Sequence, residues 1–146
     1  ADFVPPPNFL AKTIPHLVEN PFLGFVQTRW GYLNRHQNPL TKTVALSLDS
    51  YPLVDQSGRQ ALGGFIGFNG SAGVFRTSAL VDVGGWSWDT LSEDMSFKLQ
   101  IRGWKGQYVR DVVVDGELPP TMSAYRVQSR LWASMLYLRP VESVSS

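Results

Sequence analysis

The sequence predicts an α/β fold in which about four short strands and four or five helices alternate along the chain. Two observations support this. Apolar runs rich in β-branched and aromatic residues alternate with segments of helical spacing, and glycine- or proline-rich turns separate them. The length of 146 residues, with 43% hydrophobic and 17% charged residues, suits one globular domain. The interleaving excludes a helical bundle and a β-sandwich and leaves α+β as the alternative.

The first half of the chain is predicted to contain a helix, a buried strand and a second helix. Residues 8–18 have helical spacing, with Asn8 as a cap and Pro15 as a point where the helix kinks or ends. Residues 22–28 form a short apolar run typical of a buried strand. The apolar spacing over residues 40–54 favours a helix that Pro52 interrupts.

The second half is predicted to begin with a mobile loop over residues 56–64, which are rich in glycine and polar residues. The glycines inside the aromatic segment 65–75 permit close approach of a ligand or another backbone. Cap residues Thr77 and Ser92 open two further helices, which end at Gly84-Gly85 and before Gly103. The remaining predicted elements are strands over 106–110 and 112–115 and a helix over 121–138.

Composition excludes several classes of protein. Thirteen Lys and Arg residues balance twelve Asp and Glu residues, without the basic patch that nucleic-acid binding requires. The absence of cysteine excludes disulfides, a thiol nucleophile and a thiolate zinc site. No segment approaches the ~18 apolar residues of a membrane span, so we expect the chain itself to be soluble. Its start at Ala1 without methionine suggests a piece of a longer protein.

Three groups of residues could carry chemistry. Glu93 and Asp94 follow a helix cap, where they either stabilise the first turn or hold a carboxylate ready to accept a proton. Asp2 is either a solvated chain end or an oxygen ligand for a divalent metal on a diphosphate. The segment 128–132 is either an amphipathic helix face or a wall in which Arg130 pairs with phosphate and Trp132 stacks on a sugar.

The order of these segments resembles family 2 glycosyltransferases of the GT-A type. Residues 1–6 (Ala-Asp-Phe-Val-Pro-Pro) resemble the end of an Asp-x-Asp motif, and residues 24–30 resemble the strand that follows it. Residues 68–76 (Phe-Asn-Gly-Ser-Ala-Gly-Val-Phe-Arg) resemble the acceptor-side segment. Residues 91–95 resemble the Thr/Ser-Glu-Asp motif, and 128–132 the Gln-x-x-Arg-Trp motif of processive members. The likeness is greatest to membrane-bound β-glycan synthases of the cellulose and glucomannan synthase type.

The resemblance implies a partial GT-A-like fold, a mixed sheet with flanking helices that lacks the N-terminal nucleotide-binding half. Residues 1–138 would be the acceptor-side, catalytic half of the domain and 139–146 a disordered tail. The parent would be an inverting enzyme, embedded in a membrane with this part on the cytoplasmic face. It would move a sugar from a nucleotide diphosphate sugar to a β-linked glycan, and the isolated chain would be inactive.

The resemblance also implies a role for each matching residue. Asp94 would be the general base, with Glu93 beside it, and Asp2 would bind Mg²⁺ or Mn²⁺, a metal that the chain alone need not hold. The substrate-binding residues would be Asn69, Gly70, Ser71, Gln128, Arg130 and Trp132.

Two departures from the family pattern stand out. The first Asp of the metal-binding pair would precede Ala1, and the last motif reads Gln-Ser-Arg-Leu-Trp, with arginine one place closer to the glutamine. The alternatives to an enzyme are a non-catalytic carbohydrate-binding module, favoured by five tryptophans, and a structural domain in which the carboxylates only cap a helix.

Overall fold

The computed structural model describes residues 3–86 and 92–137. Its strands are β1 (Phe3–Val4), β2 (Leu23–Tyr32), β3 (Gly73–Phe75) and β4 (Lys105–Gly116). Its α-helices are α1 (Phe9–Glu19), α2 (Pro39–Ser50), α3 (Ser57–Ala61), α4 (Thr77–Asp82), α5 (Ser92–Ile101) and α6 (Met122–Tyr137), and a π-helical stretch (Tyr51–Gln56) joins α2 to α3. None of the helices in these ranges is long and apolar enough to cross a membrane.

The four strands form one mixed sheet in the order β1-β4-β2-β3. The long central strands β2 and β4 are parallel, whereas β1 and β3 pair antiparallel at the two sides. Helices precede, separate and follow these strands, so the structure has the α/β architecture, with a mixed sheet and flanking helices, that the sequence predicted. The two-residue strand β1 was not predicted, because so short a segment has no periodicity of its own.

Strand β4 shows why two strands were predicted where there is one. Thr28 pairs with Val109 and the next residue of β2, Arg29, pairs with Val113, so β4 bulges outward over residues 110–112. A bulge interrupts the ladder and bends the strand without ending it. The predicted break between 110 and 112 marks this bulge, and the prediction of two separate strands is wrong.

The sheet is covered on both faces by apolar side chains. The larger core cluster lies between β2, β4 and the helices α4 and α5, and consists of Phe25, Ile66, Phe68, Ala79, Met95, Leu99 and Tyr108. Two smaller clusters, which include residues of α1, contain Phe9, Leu17, Leu23, Val26, Val112 and Val114. The neighbouring residues Phe25 and Val26 of β2 enter opposite clusters, as the alternation of side chains in a strand requires, whereas Leu23 lies before a shift in the strand register and joins the cluster of Val26.

The segment 51–61 departs most from the sequence prediction. Pro52 does not end the helix; the chain passes through it in a π-helical stretch and continues into α3. The predicted mobile loop over 56–64 is therefore wrong as far as Ala61. Gln56 is fully buried, and Gln60 bonds to both backbone groups of Tyr108 on β4 (2.6 and 3.2 Å). These tertiary hydrogen bonds outweigh the low helix propensity of the glycine-containing sequence.

For the other helices, the observed first and last residues are close to the predicted ones. Helix α1 continues through Pro15 to Glu19, and the side chain of Asn8 makes no capping hydrogen bond. Helix α4 begins at Thr77 itself, one residue before the predicted start. Gly84, Gly85 and Gly103 follow α4 and α5 with φ of +90°, +78° and +98°, the left-handed conformation that makes glycine a common helix terminator.

The side chain of Arg76 donates hydrogen bonds to both the start of β2 and the end of α1. Its Nε donates to the carbonyl of Leu23 (2.7 Å), and its Nη2 donates to the carbonyls of Leu17 and Asn20. Two of these carbonyls belong to the last turn and the cap of α1, where backbone acceptors have no partner inside the helix. The guanidinium thus caps α1 and ties it to the junction between β3 and α4, where Arg76 lies.

Candidate functional site

Helix α5 carries the predicted general base. Met95 and Leu99, one turn apart, are fully buried in the larger core cluster and set the rotation of the helix. Asp94 precedes Met95 in the first turn and is half-buried. The positive end of the helix dipole favours a carboxylate at this position. Residue 93 belongs to the same helix, but the side chain of Glu93 lies outside the described part of the structure.

The same helix is hydrogen-bonded to the segment that leads to the predicted acceptor residues. The Phe68 N–H donates to the hydroxyl of Ser96, two residues after Asp94 (3.3 Å). The side-chain amide of Gln100 accepts from the N–H of Ile66 and donates to its carbonyl, both at 2.8 Å. Side chains of α5 therefore hold the extended backbone of 66–68 in the way that a neighbouring strand would.

Gln56 holds the next residue of this segment from the other side. Its Oε1 accepts from the Gly67 N–H (3.1 Å) and its Nε2 donates to the Gly67 carbonyl (2.7 Å). Because an unpaired buried peptide group is costly, these amide pairs are what allow the non-strand segment to lie in the interior.

The predicted acceptor residues Asn69, Gly70 and Ser71 form a tight loop beside β2. Gln27 accepts from the Asn69 N–H (2.8 Å) and donates to the carbonyls of Ser71 (3.0 Å) and Ala72 (3.2 Å). Gly70 has φ of +87°, which suits glycine, but Ala72 has φ of +58°. A left-handed alanine is strained, and such strain persists where surrounding bonds over-determine the backbone, often at functional sites.

The structure places the neighbour of Asp2, but not Asp2 itself. Asp2 lies outside the described residues; Phe3 pairs with Gly116 at the end of β4. The Phe3 ring lies against Trp30 near the carboxyl end of β2, with 4.8 Å between the ring centroids. Within residues 3–86 and 92–137, His, Asp and Glu side chains form no group of three that could hold a metal. The described residues alone do not make up a metal site.

Helix α6, which carries the predicted residues Gln128, Arg130 and Trp132, packs on the core cluster beside α2. Tyr125 anchors the helix to the cluster of Val44, Ala45 and Leu118. Farther along, Gln128 is half-buried, Arg130 is exposed and Trp132 is 43% exposed. In the described ranges no hydrogen bond or ring contact joins the side chains of these three residues to α5 or to residues 69–72. The Phe68–Ser96 bond therefore links the residue before the 69–71 loop to the helix of Asp94, and among the described residues no such bond links the side chains of Gln128, Arg130 and Trp132 to either.

Sequence reasoning missed the polar side chains that assemble the loop. Gln27, Gln56, Gln100 and Ser96 were not singled out, and all four bond to the backbone between 66 and 72. One signal was present: Gln27 is the polar residue before Thr28 in an otherwise apolar buried run. A buried amide requires partners, so its position predicts hydrogen bonds to a neighbouring segment.

The central strands β2 and β4 carry buried polar groups that have no partner in the described residues. The hydroxyls of Tyr32 and Tyr108 and the Nε of Arg29 are buried without a hydrogen bond there. Burial raises the pKa of Tyr32 from 10.0 to about 12, against smaller lowering effects of Arg35 and Arg29. Burial also raises the pKa of Tyr108, again against Arg29. The phenols are therefore neutral at physiological pH.

We expect Tyr32 to make folding pH-dependent in alkali. The unfolded chain ionises this phenol near its ordinary pKa of 10.0, whereas the folded protein does so near 12. The free energy of unfolding should therefore be independent of this group below pH 10 and fall between pH 10 and 12. Tyr32→Phe should lessen this fall and, by removing an unpartnered hydroxyl, stabilise the protein by about 1 kcal/mol at neutral pH. Urea denaturation across this pH range measures both effects; an unchanged alkaline fall in Tyr32→Phe would contradict the assignment.

Comparison with known proteins decides the family. The sequence profile described as Glycosyl transferase family group 2 matches residues 1–139. The chain belongs to this glycosyltransferase family. A glucomannan 4-beta-mannosyltransferase, number 1 of Cyamopsis tetragonoloba, is 44% identical over 135 residues, 91% of this chain and 26% of its own length. Probable glucomannan 4-beta-mannosyltransferase 6 of Oryza sativa subsp. japonica is 44% identical, and number 3 of Arabidopsis thaliana is 42% identical, each over 135 residues.

The chain spans about a quarter of the length of these glycosyltransferase relatives. Membership of a glycosyltransferase family confirms the resemblance inferred from the order of the motifs and the enzyme class that it implied.

Proposed function

We propose that residues 1–138 are the acceptor-side, catalytic half of an inverting glycosyltransferase. The observation that carries the proposal is the direct connection of two motif segments: the Phe68 N–H bonds to Ser96 on the helix of Asp94, and Gln27 bonds to both ends of the Asn69–Ser71 loop. The Phe68–Ser96 bond ties the residue just before this loop to the helix whose first turn carries Asp94. Family membership supports the same assignment.

In this proposal Asp94 removes the proton from the acceptor hydroxyl while that oxygen attacks the anomeric carbon. Inversion requires the base on one face of the sugar and the diphosphate leaving group on the other. Glu93 would shape the site beside Asp94, and Asn69, Gly70 and Ser71 would line the acceptor path. Gln128, Arg130 and Trp132 would border the sugar and the diphosphate, which requires the middle turns of α6 to face the site in the complete protein.

The donor side of the proposed site lies mostly outside this chain. Asp2 would contribute one oxygen ligand, and the other metal ligands and the nucleotide pocket would come from the rest of the protein. A divalent cation such as Mg²⁺ or Mn²⁺, when bound, would offset the negative charge of the diphosphate leaving group. The complete protein would be membrane-embedded, with this domain on the cytoplasmic face.

The names of the relatives suggest the substrates. The proteins compared above are glucomannan 4-beta-mannosyltransferases, so we propose a nucleotide diphosphate mannose as donor and a β-1,4-linked glycan as acceptor. Identity of 42–44% over the acceptor-side segment supports a shared acceptor class more directly than a shared donor.

The test is sugar transfer by the full-length protein that contains this chain. Membranes holding it should incorporate labelled mannose from the nucleotide sugar into a polymer that a β-1,4-mannanase digests. The 146-residue chain alone should transfer none, since most of the donor site would be missing. Absence of transfer from any nucleotide sugar by the full-length protein would refute the enzymatic proposal. Transfer by the chain alone would refute its being only half of a catalytic domain.

A further inference from the structure

Gln27 is fully buried in β2, and its side-chain amide both accepts and donates hydrogen bonds. The Oε1 atom accepts from the Asn69 N–H at 2.8 Å. The Nε2 atom donates to the carbonyls of Thr28, Ser71 and Ala72 at 2.9, 3.0 and 3.2 Å. One side chain therefore bonds to the backbone at the first and the last residue of the Asn69–Ser71 loop and at Ala72, which follows it.

The bonds of Gln27 lie where regular strand pairing ends. The ladder between β2 and β3 runs from Phe25 opposite Phe75 to Gln27 opposite Gly73. Beyond Gly73 the chain turns through Ala72, Ser71 and Gly70 and no longer follows β2. Thr28 extends the contact by one residue, because its N–H and its hydroxyl both donate to the Ala72 carbonyl (2.9 and 2.6 Å). Between Asn69 and Ser71, the side chain of Gln27 supplies the hydrogen bonds that hold the backbone against β2.

We infer that Gln27 is a positioning residue, which fixes the Asn69–Ser71 loop in the conformation that aligns the acceptor. The inference rests on the proposed acceptor role of this loop. Gln27 touches no substrate in this arrangement; it acts through the backbone of the loop. A side chain that is at once acceptor and donor is needed, because the loop offers an N–H at one end and carbonyls at the other.

A second hydrogen bond, made by the residue just before the loop, connects the loop that Gln27 holds to the helix of the proposed base, so a change at Gln27 should alter the rate of transfer. The Phe68 N–H bonds to Ser96 on α5, so residues just before the loop are tied to the helix of Asp94. With Gln27 in place, both ends of the loop are held relative to that helix. Without it, Asn69 loses its partner while residue 68 stays fixed, and the loop is free to shift. A displacement of about 1 Å in a positioned reactant can reduce the rate about a hundredfold.

The experiment compares Gln27→Met with Gln60→Met in the full-length protein. Methionine matches glutamine in size and removes the amide. Gln60 serves as the control for loss of a glutamine amide: its side chain, more exposed than that of Gln27, also bonds to backbone groups, those of Tyr108 on β4, away from the loop. The measurements are the KM for nucleotide sugar, the kcat for transfer to an added β-1,4-mannan oligosaccharide, and the ratio of transfer to hydrolysis of the donor. Thermal denaturation shows how much each variant is destabilised.

We expect Gln27→Met to lower the kcat for transfer about a hundredfold and to lower the ratio of transfer to hydrolysis, with the donor KM unchanged. A loss of folded protein alone would reduce transfer and hydrolysis together, so the ratio separates positioning from stability. Gln60→Met should leave that ratio at the wild-type value.

Two results would overturn the inference. One is a wild-type ratio of transfer to hydrolysis in Gln27→Met. The other is failure to fold of both Gln27→Met and the isosteric Gln27→Glu while Gln60→Met folds, which would make Gln27 a folding determinant only. Both differ from failure of the proposed function, in which the wild-type protein itself transfers no sugar.

Discussion

Asp94→Asn should reduce sugar transfer by the full-length protein by between about a hundredfold and ten-thousandfold. Asparagine has the shape of aspartate and cannot take a proton from the acceptor hydroxyl. Because the substitution keeps the size of a half-buried side chain at the start of α5, the protein should still fold. The measurement is the initial rate of mannose incorporation at saturating donor, with circular dichroism to show that the variant is folded.

The matched control is Asp111→Asn, the same change on a side chain that is 91% exposed on the bulge of β4. It should leave the rate unchanged. Full transfer activity in Asp94→Asn would contradict the proposed base and favour a carboxylate that only stabilises the helix. Glycan binding that survives Asp94→Asn and is lost on changing a tryptophan, in a protein without transferase activity, would favour the carbohydrate-binding alternative.

Phe25→Ala should lower the free energy of unfolding by about 3–5 kcal/mol. Phe25 is 0% exposed in β2 and lies against two other rings of the core, Phe68 and Phe75, at centroid distances of 6.0 and 5.5 Å. Truncation leaves a cavity there that the surrounding strands cannot close. The added Cβ of any residue at Gly106 would lie 2.4 Å from the Phe25 ring, so β4 is already in close contact with it.

The comparison for this prediction is Phe22→Ala, three residues earlier in the chain. Phe22 is 67% exposed, so its truncation should cost less than about 1 kcal/mol. Urea denaturation of the chain, followed by fluorescence, measures both values. Equal destabilisation by the two substitutions would contradict the placement of Phe25 at the centre of the core.

Helices with local signals were predicted well. The predicted bounds of α1, α5 and α6 lie within one or two residues of the observed ones, because the signals behind them, such as the apolar spacing of α1 and Gly103 after α5, lie within a few residues of the helix they delimit. Strand β2 was found for the same reason, as a continuous apolar run. The predictions failed where distant contacts decide: the π-helical stretch through Pro52, the helix at 57–61 and the single bulged strand β4.

The candidate site divides in the same way. Asp94 and the Asn69–Ser71 loop were each identified from a motif of the family, and their roles remain proposals. The means by which they are joined could not be predicted, because Gln27 and Ser96 lie 42 and 28 residues away from the backbone groups to which they bond. A sequence pattern contains no information on which of many distant amides a buried side chain will meet.

By itself, the sequence determined the fold class, the family and the order of the segments that could carry chemistry. These follow from local periodicity and from short motifs, whose meaning does not depend on distant residues. The tertiary structure alone decided that β1 pairs with the end of β4 and that amide side chains replace a strand beside residues 66–72. The reason is physical: buried backbone groups must find partners, and the partners available are set only once the sheet has formed.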